Sequence, residues 1–355
     1  MEEKPFRILS IDGGGIRGVL PCSFLAELEN ELIRKHGEHA RLCDYFDLIA
    51  GTSTGGIIAI GLALRVRAQR LLELYECNGE KIFPQKNQRI KSKAKRAFNG
   101  KPFYERNELK ILLKETYEKE IENARIGHAK TRLLVPTFNL EHNKIHVLKT
   151  SHTPFLERDY QIPAVDAALS TAAAPIYFIP YDFTYRYSNK EGEETLKHLV
   201  DGGIVANNPT FMAILEAHNV LKVPLENIKV LSIGTGQSNY QIPKLSERIN
   251  PFFWIDPRKG FMLYEVMSQA QSIHTDNLIS LFKNNVGKTR GDRFYYKRLQ
   301  HVFPVTEKID LDSTSTDNID KMKSIGKQWY RENGYGIESL FLNKIKEEFK
   351  PFHTL

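Results

Sequence analysis

Twice within its first sixty-six residues the chain runs from a short apolar segment into a glycine-rich turn and on into a helical pattern. The first unit is Arg7-Ile8-Leu9-Ser10-Ile11, then Asp12-Gly13-Gly14-Gly15-Ile16-Arg17-Gly18, then a helix predicted over 21–36. In that helix Leu25, Leu28 and Leu32 recur at helical spacing, and Gly37 stands where a C-cap belongs. The second unit is Phe46-Asp47-Leu48-Ile49-Ala50, then Gly51-Thr52-Ser53-Thr54-Gly55-Gly56, then a helix over 57–66. Strand, turn and helix in this repeated order return the chain to a parallel neighbour, so the expected fold class is α/β with a mostly parallel sheet. Further strands are predicted over 133–140, 144–148, 196–200, 228–233 and 294–299, with helices over 107–123, 163–174 and 209–221. A long amphipathic stretch covers 258–282, and two helical patches close the chain.

No internal repeat or low-complexity linker divides the 355 residues. A single domain over 1–355 is expected, with a motif-bearing core at about 6–236 and an extension over 237–355 that is free for a regulatory role. With 41% apolar and 26% charged residues, global disorder is excluded. The most apolar run, Ile57 to Leu64, is eight residues long, far short of the roughly twenty a bilayer span needs. The first residues lack the pattern of a secretory signal, and Cys22, Cys43 and Cys77 form neither an even set nor a CxxC pair. A cytoplasmic protein without disulfides or a zinc site is the expectation.

Gly51-Thr52-Ser53-Thr54-Gly55 fits G-x-S-x-G between a predicted strand and a predicted helix. That is the setting of a nucleophile elbow, where flanking glycines allow a sharp turn and the serine oxygen stands at a helix N-terminus. A plain glycine turn remains the alternative. Gly13, Gly15 and Gly18 also match the dinucleotide fingerprint G-x-G-x-x-G, which makes an oxidoreductase the first rival. Its ribose-binding acid would fall at Glu38, misplaced in a polar loop, so the rival weakens. Consecutive glycines before a helix expose N–H groups that cradle an oxyanion as readily as a phosphate. Gly287-Lys288-Thr289 imitates the end of a P-loop, but Phe282 occupies the position of its first glycine. His142 and His146 sit in a strand–turn–strand pattern, where a spacing of four does not bring two side chains onto one helix face as metal ligands. No histidine stands in a context that marks a triad partner. Asp201, ending a predicted strand and followed by Gly202 and Gly203, is the better candidate for the base of Ser53.

The three motifs Asp12-Gly-Gly-Gly-Ile-Arg-Gly18, Gly51-Thr-Ser-Thr-Gly55 and Asp201-Gly-Gly203, in this order, resemble the patatin-like phospholipase family. Ala168-Leu-Ser-Thr-Ala-Ala-Ala-Pro175 resembles the family's helix before the third motif. The resemblance spans about 6–236 and implies a three-layer α/β/α fold with a Ser53–Asp201 dyad. It implies an oxyanion loop of Gly13, Gly14 and Gly15 with Arg17 beside them, and lipid ester hydrolysis through an acyl-enzyme without metal or organic cofactor. In length and wording the chain is also similar to the bacterial effector phospholipases of cyclic-oligonucleotide anti-phage signalling. This implies a cyclic dinucleotide activator, a membrane phospholipid substrate met at the inner face of the membrane, and no nucleic-acid partner. A non-catalytic lipid- or nucleotide-binding module on the same fold stays open, and the oligomeric state is unspecified, a homodimer included.

The formal net charge of +7 has one source. Between 85 and 101 stand Lys86, Arg89, Lys91, Lys93, Lys95, Arg96 and Lys101 with no acid among them, so the rest of the chain is balanced. The segment reads as a solvated loop or, through Lys91, Lys93, Lys95 and Arg96, as a contact for anionic lipid or a phosphate-bearing activator.

Overall fold

The computed structural model describes residues 4–119, 121–187, 192–239, 254, 262–290 and 294–355. Its strands are β1 (Phe6–Ile11), β2 (Leu48–Gly51), β3 (Arg132–Asn139), β4 (Lys144–Lys149), β5 (Tyr181–Arg186), β6 (Glu193–Asp201), β7 (Ile228–Ile233), β8 (Gln237–Ser238), β9 (Tyr295–Leu299) and β10 (Val302–Phe303). Helices of six residues or more are α1 (Val19–His36), α2 (Thr54–Ala63), α3 (Ala68–Glu76), α4 (Ile90–Phe98), α5 (Asn107–Tyr117), α6 (Ala164–Thr171), α7 (Thr210–Leu215), α8 (Met262–Arg290) and α9 (Thr316–Phe341). The final helical patches are thus one helix, and the predicted amphipathic stretch is described only from residue 262.

Hydrogen-bonded neighbours run β5-β6-β3-β2-β1-β7-β9, with β4 also along β3. The pairs β2–β3, β1–β2, β1–β7 and β7–β9 are parallel, whereas β4, β5 and β6 add antiparallel ladders. Leu134 of β3 pairs with Lys149 and Ala50, and Thr137 pairs with His146 and Asp201. Because β4 takes one edge of β3 over both positions, β2 and β6 share the other edge end to end, running in opposite directions. Pro136 sits where one partner gives way to the other and has no N–H to leave unpaired. Asp201 is therefore delivered to the mouth of β2 by an antiparallel strand, not by the end of another parallel strand.

α1, α2 and β1–β3 share one apolar core in which Leu9, Leu25, Ile58 and Val135 are fully buried. The C-terminal segment belongs to the same core: the Phe341 ring of α9 packs tilted against Phe46 with centroids 5.8 Å apart, and β9 extends the sheet beyond β7. Where α1 and α9 touch, a Cβ on Gly326 would stand 2.7 Å from the Leu20 carbonyl oxygen, so only glycine lets the helices meet there.

Candidate active site

β2 ends at Gly51 and α2 begins at Thr54, leaving two residues to reverse the chain. Ser53 takes up that strain with φ 54° and ψ −125°, a region a serine adopts only when its surroundings over-determine it. The constraint is visible on both sides. A Cβ on Gly51 would meet the Gly55 carbonyl oxygen at 2.0 Å, and one on Gly55 would meet that of Ile11 at 2.3 Å. The Ser53 amide donates to the Thr171 hydroxyl at 2.9 Å, which donates in turn to the Pro136 carbonyl at 2.7 Å. A single threonine on α6 thus ties the strained turn to the break in β3.

The Ser53 hydroxyl donates to Asp201 Oδ2 at 2.6 Å. Asp201 Oδ1 accepts the Gly203 amide at 2.6 Å, and the Tyr264 hydroxyl bonds the same carboxylate. Asp201 is completely buried, and burial pushes its carboxyl from 3.8 up to about 7 against the pull of these three donors. A carboxylate near neutrality is a competent acceptor for a serine proton. A Cβ on Gly202 would lie 2.2 Å from the Pro136 carbonyl oxygen, which explains the glycine directly after the acid.

The loop after β1 is held just as firmly. Gly13 donates its amide to the Asn207 carbonyl at 3.0 Å and receives the Thr235 hydroxyl on its own carbonyl at 2.6 Å. Gly15, at φ +57°, gives its carbonyl to the Thr54 hydroxyl at 2.7 Å, and a Cβ on Gly18 would press into the Thr54 methyl at 2.0 Å. The Arg17 amide is spent on the Gly14 carbonyl, and its buried guanidinium pairs with Glu265 of α8 at 3.3 Å. Of the expected oxyanion set, Gly13 and Arg17 thus have their amides engaged. Gly14 and Gly15 retain amides without an acceptor among the described residues, and both line the cavity that holds Ser53. Beyond Ser53 that cavity is walled by Ile57, Tyr75, Phe83, Leu109, Tyr177 and Phe178, an apolar lining suited to an acyl chain.

The basic segment corrects the sequence reading. Residues 90–98 form α4, not a loop. Lys93 is buried, paired with Asp312 at 2.5 Å and set 5.5 Å from the Phe103 ring; the Tyr104 hydroxyl donates to the same carboxylate at 2.6 Å. Arg96 is half-buried and donates to the Pro102 carbonyl at 2.6 Å. Neither faces outward to a lipid. Lys91 and Lys95 are exposed, and Phe98, on the same helical face, is 92% exposed. His146 pairs with Asp159 at 3.3 Å, and His142 lies in the turn between β3 and β4.

Asn207, Thr171, Thr235, Tyr264, Glu265 and Arg298 escaped sequence reasoning. Only Thr171 carried a local signal, inside the small-residue helix before Pro175. Arg298 of β9 grips Asp12 through both carboxylate oxygens, at 2.8 and 2.5 Å, from 286 residues away.

The model of the patatin-like phospholipase family matches residues 9–214, and the chain belongs to that family. It is 31% identical over 340 residues to the cGAMP-activated phospholipase of Escherichia coli (strain TW11681), spanning 92% of this chain and 89% of that one. The cGAMP-activated phospholipase of Vibrio cholerae serotype O1 is 32% identical over 336 residues, with 91% and 89% covered. Patatin-like protein 2 of Oryza sativa subsp. indica is 28% identical over 355 residues, with 93% and 85% covered. The chain is a lipid hydrolase of the patatin fold. This sets aside the oxidoreductase, whose acid Glu38 precedes β2 and so lies at the wrong end of that strand.

Proposed function

We propose that this enzyme releases fatty acids from membrane glycerophospholipids through a Ser53–Asp201 dyad, and that a cyclic dinucleotide switches it on. The contact that carries the first half is the 2.6 Å hydrogen bond from a strained serine to a buried aspartate that has no ion pair among the described residues. Asp201 takes the Ser53 proton as Oγ attacks the ester carbonyl. The oxyanion receives the free amides of Gly14 and Gly15, donors fixed in place before the reaction begins. Asp201 returns the proton to the departing alcohol, leaving an acyl-serine. Water, deprotonated by the same carboxylate, then releases the fatty acid. The apolar walls beyond Ser53 hold the acyl chain while the headgroup stays toward the membrane surface. No step calls on a metal or organic cofactor.

The second half is supported by the two bacterial relatives named as cGAMP-activated. On this reading the enzyme is an effector of anti-phage defence that acts at the inner membrane face. Among the described residues no helix is long and apolar enough to cross a membrane. Fatty-acid release from phospholipid vesicles, with and without a panel of cyclic dinucleotides, tests both halves. Release that depends on one nucleotide and disappears in Ser53→Ala is expected. Nucleotide-independent release refutes the switch, and an active Ser53→Ala refutes the dyad.

A further inference from the structure

At the end of the sheet remote from Ser53 lies an open cleft of about 670 Å³. It occupies the N-terminal ends of β1, β3 and β7, walled by residues 4–7, 221–227 and 344–348. Among the described residues its lining carries six cations, Lys4, Arg7, Arg132, Lys222, Lys344 and Lys346, against three acids, Asp47, Glu347 and Glu348. Arg7 and Arg132, from the starts of β1 and β3, both feel Asp47, and Arg132 also feels Glu347. Both have a buried Nε without an acceptor. The Arg132 guanidinium lies 5.6 Å from the Phe6 ring and 5.3 Å from the Phe349 ring and, among the described residues, donates once, through one terminal nitrogen to the Asp47 carbonyl at 3.4 Å.

Lys222 and Lys344 line the cleft, are exposed, and form no salt bridge among the described residues. Glu347, the nearest rim acid, is taken by Lys4 at 2.6 Å. Burial pushes Arg7, Arg132 and Lys346 below their ordinary ranges. Partly dehydrated cations short of carboxylates are what an anion stabilises.

Resting on the reading that a cyclic dinucleotide activates this enzyme, we propose that this cleft binds it. Arg132, Lys222 and Lys344 receive its two phosphodiester groups. The cleft is joined to the glycine loop through β1. Arg7 donates to the Lys344 carbonyl, tying the chain that leaves α9 to β1, and β1 continues directly into the Asp12–Gly15 loop.

The test is equilibrium binding of cyclic GMP–AMP to the full chain and to Lys222→Glu/Lys344→Glu, with Lys222→Arg/Lys344→Arg as the charge-keeping control. The glutamate pair should raise Kd by about tenfold or more and move the activation curve equally, while the arginine pair stays near wild type. Binding of nucleotide-free vesicles containing phosphatidylglycerol should be the same in all three proteins. If wild type is bound and activated but the glutamate pair matches it, the cleft is not the site and the activation reading survives. If wild type binds no cyclic dinucleotide, both fall. If the glutamate pair loses vesicle binding and keeps the nucleotide, the cleft serves lipid headgroups and the proposal is overturned.

Discussion

Asp12 and Asp201 are two fully buried aspartates at the same end of the sheet, and their surroundings are opposite. Asp12 faces a bidentate guanidinium from Arg298 and a hydroxyl from Ser272 at 3.2 Å. Asp201 faces a serine hydroxyl, a backbone amide and a phenol, with no ion pair among the described residues. A matched charge fastens one end of the glycine loop to a strand of the C-terminal extension. A charge met only by dipoles stays close to its protonated form and can exchange a proton. The same side chain is a rivet in one place and a base in the other.

The comparison breaks most directly through paired substitutions. Asp201→Asn keeps the shape, removes the proton acceptor, and should lower fatty-acid release by roughly 10³-fold or more with the fold intact. Folding raises this carboxyl from 3.8 to about 7, so the folded state binds the proton more tightly and wild type loses stability as pH climbs through that window. Asp201→Asn should therefore melt above wild type at pH 8; a lower melting temperature would contradict the picture.

Asp12→Asn should act the other way. It strands Arg298 as a buried cation and should cost about 3–5 kcal/mol in urea unfolding. An Asp12→Asn protein as stable as wild type but inactive would erase the distinction between the two acids. More finely, kcat/KM on a soluble ester should fall about tenfold per unit as pH drops below 7, because protonated Asp201 cannot accept from Ser53. A flat profile from pH 5 to 8 would remove Asp201 as the base.

The smallest effect concerns α4. Lys91→Glu/Lys95→Glu with Phe98→Ser should reduce hydrolysis of anionic vesicles several-fold while sparing a soluble ester, since these three outward side chains share one face of the helix. Equal activity on both substrates would reassign α4 to a purely structural role.

Much of the site was legible because its signals are local. Ser53 needs its glycines within two residues, and the strand–turn–helix order places them at one sheet edge. What stayed hidden depends on contacts across hundreds of positions. Arg298, Tyr264 and Glu265 come from a segment with no motif, and their roles exist only once β9 and α8 are in place. Lys93 was misread because a lysine among lysines looks solvated; the acid that buries it, Asp312, is far along the chain. The direction of β6 was not legible, because a glycine pair after a strand looks alike at either end of a sheet.

β3 has a consequence for which changes this enzyme tolerates. It pairs with Ala50 at Leu134 and with Asp201 at Thr137, so three residue steps of one strand, about 10 Å of chain, set where β2 leads off to Ser53 relative to where β6 brings Asp201. Length variation in the turn at 140–143 leaves that ruler untouched. One residue inserted between Leu134 and Thr137 lengthens it by a notch and turns Asp201 to the opposite face, so natural variants should carry their insertions everywhere along this strand's connections and never inside that interval.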